Sequence, residues 1–158
     1  MKKLTVLSII FLLMDLFIKL IITNRLELYS TIQVIPSFFN IVYVRNTGAA
    51  FSILEGSRFL FIIIAFVAIY LIYEFLIKNN KLNALEIVSY SILIGGITGN
   101  LLDRIVYGYV IDYFDINALI PFPIFNLADI GITIGWIVLI VSLIHYWWKE
   151  VRPLKKQK

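Results

Sequence analysis

Five aspartates are the residues of this 158-residue chain whose type and placement favour chemistry. They are Asp15, Asp103, Asp112, Asp115 and Asp129. The chain has no cysteine and a single histidine, which excludes a thiolate nucleophile and a histidine-rich metal site. Two carboxyl groups held close together share one proton, because both cannot easily ionise. One group can then activate a water molecule while the other hydrogen-bonds a carbonyl, so such a pair can hydrolyse a peptide bond.

The composition places these aspartates in a membrane protein. Hydrophobic residues make up 61% of the chain and charged residues 15%, whereas soluble domains average about 45–50% and about 25%. The mean hydropathy is +0.92, which excludes a disordered chain and disfavours an ordinary soluble domain. The net charge of +4 mainly reports orientation in such a protein, so it gives little support for nucleic-acid binding.

Four apolar stretches are long enough to cross a bilayer, whose core of about 30 Å needs about 20 helical residues. We predict transmembrane helices over residues 4–22, 59–77, 84–102 and 128–148. The first stretch is interrupted by Asp15 and Lys19 and is followed by no small-residue cleavage site, so we expect a retained helix rather than a secretory signal. We therefore expect one integral membrane domain over residues 1–158.

The placement of lysine and arginine predicts which side of the membrane each loop faces. Nine of these residues precede the first helix, lie between the second and third, or follow the fourth: Lys2, Lys3, Lys78, Lys81, Lys149, Arg152, Lys155, Lys156 and Lys158. The other side has Arg25, Arg45, Arg58 and Arg104. Both termini are therefore expected in the cytoplasm, with residues 23–58 and 103–127 on the outer side.

The two outer segments carry patterns that are typical of strands. Residues 31–46 read TIQVIPSFFNIVYVRN, with β-branched and aromatic residues on both sides of Pro36, which predicts two strands joined by a turn. Residues 107–116 read YGYVIDYFDI and predict a further strand. The expected fold class is an all-α membrane protein of four transmembrane helices with a small extracytoplasmic β-structure.

All five aspartates fall on the outer half of this arrangement, and Asn46, Asn100 and Asn126 are close in sequence to the same membrane level. A carboxylate at the bilayer centre costs about 2.5–3.5 kcal/mol on insertion scales, so a buried cluster usually has a function. Structural roles are the alternative for single members. Asp129 can cap the fourth helix, and Asp103 can form an ion pair with the adjacent Arg104.

Other residues have structural interpretations. Asp15 and Lys19 are four residues apart on one helix face and can pair. The G-x-x-x-G spacings indicate close helix packing, at Gly95, Gly99, Gly131 and Gly135. His145 is expected at the cytoplasmic end of the fourth helix, away from the aspartates.

Five segments, in order along the chain, resemble the motifs of the lipoprotein signal peptidases, also called signal peptidase II. They are DLFIK (15–19), RNTGAAFS (45–52), GNLLDR (99–104), VIDYFD (110–115) and FNLAD (125–129). Each motif alone is a weak signal, but five in order together with four predicted helices are highly specific. The resemblance covers nearly the whole chain.

This resemblance implies an aspartic endopeptidase that removes the signal peptide from diacylglyceryl-modified prolipoproteins by cleaving just before the lipidated cysteine. It implies that Asp112 and Asp129 are the catalytic pair. Substrate-binding or supporting positions are matched by Asn46, Gly48, Asn100, Asp103, Arg104, Asn126, Asp15 and Lys19. The expected enzyme uses no metal or cofactor, binds membrane lipid but no nucleic acid, and is a monomer. Its expected location is the bacterial plasma membrane, as a multi-pass protein with its active site at the outer face.

Three residues near the motifs depart from the commonest family pattern. Leu16 and Ile18 stand between Asp15 and Lys19, where the family often has polar residues, and Ile130 stands where serine is common. These departures leave the enzyme class intact. The apolar residues of VIDYFD and Phe51, beside Gly48, are expected to shield the aspartates from bulk water, and a lower dielectric strengthens proton sharing.

Other functional classes make different predictions. A small proton-coupled transporter also suits a carboxylate in the first helix, but it predicts short outer loops and a polar path across the bilayer. A non-enzymatic assembly protein would tolerate asparagine at Asp112 and Asp129. A serine–lysine pair with Lys19 as the base is a third alternative, although no serine motif marks a nucleophile.

Overall fold

The computed structural model describes residues 1–48, 54–78 and 82–148. The helices in these ranges are α1 (Lys2–Arg25), α2 (Arg58–Lys78), α3 (Ala84–Val106) and α4 (Leu127–Tyr146). The strands are β1 (Thr31–Ile35), β2 (Phe39–Asn46) and β3 (Val110–Asp115). In chain order, β1 and β2 follow α1, and β3 lies between α3 and α4. The expected combination of apolar helices with a small sheet is confirmed.

Three helices, α1, α2 and α3, are long and apolar enough to cross a membrane. In the fourth, the apolar stretch among the described residues covers only Leu127–Ser142, which is shorter than a membrane crossing needs. The fourth crossing therefore stays a prediction. Helices α1, α2 and α3 also extend past their predicted ends, because the apolar pattern stops at polar residues while backbone hydrogen bonding continues. Thus α1 runs to Arg25 and α3 runs past Arg104 to Val106. Helix α4 instead ends at Tyr146, before its predicted end at residue 148.

The first turn of α3 is fixed by a reciprocal cap. The Asn83 side-chain oxygen accepts the Glu86 N–H at 2.9 Å, and the Glu86 carboxylate accepts the Asn83 N–H at 2.9 Å. Each bond satisfies a backbone donor that the helix end would otherwise leave unpaired. The predicted start of this helix at Ala84 is confirmed.

Helix α3 is the central helix and packs against α1, α2 and α4. Its glycines allow this close approach, as the spacing predicts. A Cβ on Gly95 would lie 2.8 Å from the Ser8 carbonyl of α1, and one on Gly96 would lie 2.5 Å from the Ala128 carbonyl of α4. From the other side, a Cβ on Gly131 would meet the Phe11 ring. Backbones this close leave no room for a side chain, so the small residues set the helix spacing.

The three strands form one antiparallel sheet with β2 in the centre. The predicted turn at Pro36 is confirmed, with Ser37 at a φ of 56°. One face of the sheet packs Tyr43, Ile111 and Tyr113 against Ile22 at the end of α1. Because alternate residues of a strand point to opposite faces, Asp112 lies on the other face.

A substitution at Gly96 tests the packing of α3 on α4. We expect Gly96→Ala to lower stability by about 1–3 kcal/mol, since the new Cβ meets backbone that no side-chain rotation can clear. This cost outweighs the gain of about 1 kcal/mol in helix propensity. The measurement is thermal unfolding in detergent, with Val88→Ala on the exposed face of α3 as the control. Equal stability of the two variants would contradict the packing role.

Candidate active site

The first turn of α4 fixes the Asp129 carboxylate. Asn126 precedes the helix, and its side-chain oxygen accepts the Asp129 N–H at 2.9 Å. In return, Asp129 Oδ2 accepts the Asn126 N–H at 3.1 Å. This reciprocal cap confirms the capping interpretation of Asp129. The same bonds leave Oδ1 free to accept a hydrogen bond from elsewhere in the fold.

Asparagine amides connect Asp129 with Asp112 of β3. Asp112 accepts hydrogen bonds from Asn126 Nδ2 at 2.7 Å and from Asn46 Nδ2 at 2.8 Å. Asp129 Oδ1 accepts one from Asn100 Nδ2 at 2.7 Å. Asn126 Nδ2 also approaches Asn100 Oδ1 at 3.1 Å, so the two carboxylates belong to one continuous network. The structure brings both predicted catalytic residues and these three asparagines together.

Burial sets the protonation of Asp112, whose residue surface is only 2% exposed. Burial, reinforced by the charge of Asp129, raises the pKa of Asp112 to about 7. The hydrogen bonds from Asn46 and Asn126 act in the opposite direction but are the weaker influence. Near neutral pH this carboxyl group therefore exchanges readily between its two forms, as proton sharing requires.

Lys19 is buried among three acceptors beneath this network. Its ammonium lies 2.8 Å from Asp15 Oδ2, 2.9 Å from Asp103 Oδ2 and 3.1 Å from Asn100 Oδ1. An ammonium group has three N–H donors, so the three acceptors match its full capacity. The predicted pairing of Asp15 with Lys19 is confirmed, and Asp103 joins it.

The expected ion pair between Asp103 and Arg104 is absent from the described residues. Successive helical residues point about 100° apart, because a turn takes 3.6 residues. Asp103 therefore faces α1, whereas Arg104 reaches the Gly48 carbonyl at 3.1 Å and the Phe61 ring at 4.8 Å. The charge of Arg104 still acts on the carboxylates of Asp112 and Asp129.

The Lys19 cluster also holds the backbone beside each member of the aspartate pair. Asp103 Oδ2 accepts the N–H of Ile111, the residue before Asp112, at 3.1 Å. Asp15 Oδ1 accepts the N–H of Ala128, the residue before Asp129, at 3.0 Å. The buried carboxylates of Asp103 and Asp15 thus fix the positions of β3 and α4, which carry Asp112 and Asp129.

Asp112 and Asp129 line a cavity of about 720 Å³. Asn46, Asn100 and Arg104 complete its polar end. The remaining walls are largely apolar side chains of α2, α3, α4 and the segment after β3, among them Ala65, Ile97, Phe122, Ile130 and Trp136. Such a site can bind an apolar chain and bring a polar group to the two carboxylates.

A sequence profile described as Signal peptidase (SPase) II matches residues 7–145. The chain belongs to the signal peptidase II family. Family membership and the apolar helices together identify a protease that is a bacterial integral membrane protein.

Relatives and solved structures support this assignment over most of the chain. The lipoprotein signal peptidase of Pasteurella multocida is 39% identical over 134 residues, covering 82% of this chain and 81% of the relative. That of Haemophilus influenzae is 35% identical over 157 residues, covering 96% and 91%. Two solved structures described as bacterial membrane enzymes have TM-scores of 0.88 and 0.82 at 34% and 35% identity. They cover 95% and 90% of this chain, and it covers 92% and 93% of theirs.

The departures from the commonest signal peptidase II pattern have distinct surroundings. Ile18 packs beneath the sheet, and Leu16 lines a shallow apolar groove on α1. Ile130 lines the cavity beside Asp129, so it is the departure that faces the candidate site. The expected shielding by Phe51 concerns a residue outside the described ranges.

Asp115 is the one aspartate outside the hydrogen-bonded networks of Asp112, Asp129 and Lys19. Its carboxylate accepts the backbone N–H of Asn117 at 2.9 Å, the Asn117 amide at 2.7 Å and the Asn40 amide at 3.2 Å. Asn117 in turn accepts the Phe122 N–H at 3.2 Å. These bonds shape the segment whose Ile116 and Phe122 line the cavity, a role that the sequence interpretation missed. The spacing of Asp115 and Asn117 is a turn signal that could have indicated it.

Removing the buried cation should cost more than removing one of its partners. We expect Lys19→Met to lower stability by about 3–5 kcal/mol, because Asp15 and Asp103 lose their shared counter-charge. Asp15→Asn should cost less, since Lys19 keeps Asp103 and an amide oxygen can still accept the Ala128 N–H. Thermal unfolding in detergent measures this order, and Lys78→Met, at an exposed ion pair, is the control. A smaller effect for Lys19→Met than for Asp15→Asn would contradict the central role of the cation.

Proposed function

We propose that the protein is an aspartic endopeptidase that removes the signal peptide from diacylglyceryl-modified prolipoproteins, cleaving just before the lipidated cysteine. The observation that supports this proposal is the pair of buried carboxylates, Asp112 and Asp129, joined through asparagine amides at the wall of an apolar cavity. The relatives carry the name lipoprotein signal peptidase, which points to the same class of substrate.

In the proposed reaction the pair carries one proton between its two carboxyl groups. The ionised group takes a proton from a water molecule, whose oxygen attacks the scissile carbonyl carbon, while the protonated group gives its proton to the carbonyl oxygen. Collapse of the tetrahedral intermediate breaks the C–N bond as the proton taken from water passes to the departing amine. One hydroxyl of the intermediate returns its proton to the other carboxylate, which restores the singly protonated pair. Asn46, Asn100 and Asn126 hold the carboxylates in place throughout.

The cavity walls support a lipid-linked substrate. Apolar side chains of α2 and α4, including Ala65, Ala68 and Trp136, continue the cavity away from the carboxylates. The diacylglyceryl group and the apolar part of the signal peptide would lie along these walls, and the peptide bond would lie at the polar end. Arg104 and the Gly48 backbone would face the peptide there.

The proposed topology has four transmembrane helices in one monomeric domain. The sheet, the aspartate pair and Arg45 lie at the end of the bundle where α1 and α3 finish and α2 and α4 begin. Lys2, Lys3 and Lys78 lie at the opposite end, and this distribution supports cytoplasmic termini with the active site at the outer face. The remaining six cytoplasmic-side cations, Lys81, Lys149, Arg152, Lys155, Lys156 and Lys158, lie outside the described residues.

Isosteric substitutions test the aspartate pair. Asp112→Asn and Asp129→Asn should each keep the fold and reduce cleavage by at least about 100-fold, because proton transfer is lost. The control is Asp115→Asn on the same strand, which should stay within several-fold of the wild type. Mass spectrometry of a prolipoprotein with and without its diacylglyceryl group, in detergent, measures the products.

Three outcomes would contradict the proposal, two from that assay and one from that assay together with a transport measurement. Near-normal turnover by either variant would remove the pair from the mechanism. Equal cleavage of the unlipidated precursor would remove the lipid requirement. Absence of cleavage by well-folded wild-type protein, together with proton-coupled transport that depends on Asp15, would favour the transporter alternative.

The pKa of Asp112, about 7 in the folded protein, predicts how activity and stability change with pH. Raising the pH through 7 removes the shared proton, so kcat/KM should fall on the alkaline side. An unfolded aspartate has a pKa of about 3.9, so the unfolded state releases this proton first. Stability should therefore decrease as the pH rises from about 4 to about 7. Unfolding measured across this range should show a weaker decrease in Asp112→Asn, and an unchanged slope would contradict the assignment.

A further inference from the structure

A short loop at the outer end of α3 lies between two arginines that take no part in the aspartate site. The loop is Tyr107–Gly108–Tyr109, and it connects α3 to β3. On one side, the Arg45 guanidinium carbon lies 4.9 Å from the centre of the Tyr109 ring. On the other, a Cβ on Gly108 would lie 3.4 Å from Nη1 of Arg58, so that guanidinium packs directly on the loop.

The Arg45 guanidinium is held in a fixed orientation by tyrosines. Its Nε donates to the Tyr43 hydroxyl at 3.1 Å, and the guanidinium carbon lies 5.7 Å from the centre of the Tyr43 ring. Arginine has five N–H donors, of which this bond uses one. Within the described residues, neither Nη group of Arg45 has a hydrogen-bond partner and no carboxylate forms an ion pair with it. The side chain is exposed, so the open side of the guanidinium faces outside the protein.

The positive charge around this loop is left uncompensated by the aspartates. Asp103, Asp112 and Asp129 are turned into the buried networks, and Asp115 lies at the far end of β3. Arg58 uses its Nη2 to bind the Ile105 carbonyl at 2.7 Å, and its buried Nε has no acceptor among the described residues. Among the described residues neither arginine forms an ion pair with an aspartate or with a glutamate, so both can attract an anion supplied from outside the chain.

The neighbouring side chains place the loop at the membrane surface. Ile105 and Val106, in the last turn of α3, are exposed, as lipid-facing residues are. Tyr107 and Tyr29 are also exposed, and tyrosines are enriched where lipid headgroups meet water. Tyr107 stacks on Tyr109, and Tyr109 contacts the Arg45 guanidinium, so Arg45 lies close to the same membrane level.

We propose that Arg45, oriented by Tyr43 and Tyr109, binds the phosphate of an anionic phospholipid of the outer leaflet, with Arg58 adding positive charge across the loop. The planar fork of a guanidinium matches two phosphate oxygens. Stacking on aromatic rings orders the arginine side chain in advance, so it loses less conformational entropy when phosphate binds. A headgroup with a net negative charge is favoured over a zwitterionic one, since the ammonium of the latter would face two arginines.

Lipid binding at Arg45 would restrain the strand that contacts the aspartate pair. Arg45 and Asn46 are neighbours on β2, so their side chains point to opposite faces of the sheet. Arg45 faces the tyrosines, and Asn46 donates to Asp112. A bound phosphate would therefore stabilise the position of Asn46, and this effect on catalysis rests on the proposed peptidase function.

The binding test uses the full chain in detergent with added phosphatidylglycerol, phosphatidylcholine or inorganic phosphate. Phosphatidylglycerol should raise the Tm by at least about 3 °C and appear as a bound lipid in native mass spectrometry, whereas the other two should have little effect. Arg45→Gln should weaken this binding at least about tenfold, and Arg45→Lys, which keeps the charge but not the fork, should weaken it several-fold. The matched control is Arg25→Gln, an equal loss of charge at the outer end of α1, which should bind as the wild type does.

Each contrary result overturns the lipid site. Unchanged binding by Arg45→Gln and Arg45→Lys would exclude Arg45 as the binding residue. An equal loss of binding in Arg25→Gln would show that binding depends on the net charge of the protein and not on this site. An equal shift with inorganic phosphate would indicate a general anion site rather than a lipid site. Binding is also measured in the Asp129→Asn variant, which should retain it. Loss of lipid binding and failure of the peptidase proposal are thereby distinguished.

Discussion

The geometry of the whole site depends on one buried cation, Lys19. Burying a lone ammonium costs several kcal/mol, so it persists only where acceptors satisfy it. Its three acceptors each hold a further part of the site: Asp15 binds the backbone of α4, Asp103 binds the backbone of β3, and Asn100 binds Asp129. A single charge thus joins the helix and the strand that carry the aspartate pair, which come from segments far apart in the sequence.

This arrangement separates the charges that support the site from those that can do chemistry. The ammonium of Lys19 forms ion pairs with Asp15 and Asp103. These two negative charges reduce the electrostatic effect of Lys19 on the aspartate pair. The groups bound directly to Asp112 are neutral asparagine amides. Burial and carboxylate repulsion therefore dominate, and they favour a shared proton over two ionised groups.

The small sheet brings this chemistry to the edge of the bundle. Tyr43 and Ile111, on one face of the sheet, pack against the end of α1, while Asp112, on the other face, lines the cavity. A peptidase needs water, and the lipid-anchored substrate that we propose needs apolar walls. The end of a helical bundle covered by a sheet meets both needs, because the polar network and the apolar cavity adjoin there.

The sequence by itself determined the apolar helices, the turn at Pro36 and the pairing of Asp15 with Lys19, because each depends on local periodicity or spacing. The motifs also identified Asp112 and Asp129 as candidates. Only the tertiary structure decided that Asp103 binds Lys19 and that Asn126 bridges the two aspartates, since these contacts depend on how distant segments rotate and pack. For the same reason, adjacency in sequence wrongly paired Asp103 with Arg104: a helix turns neighbouring side chains towards different elements.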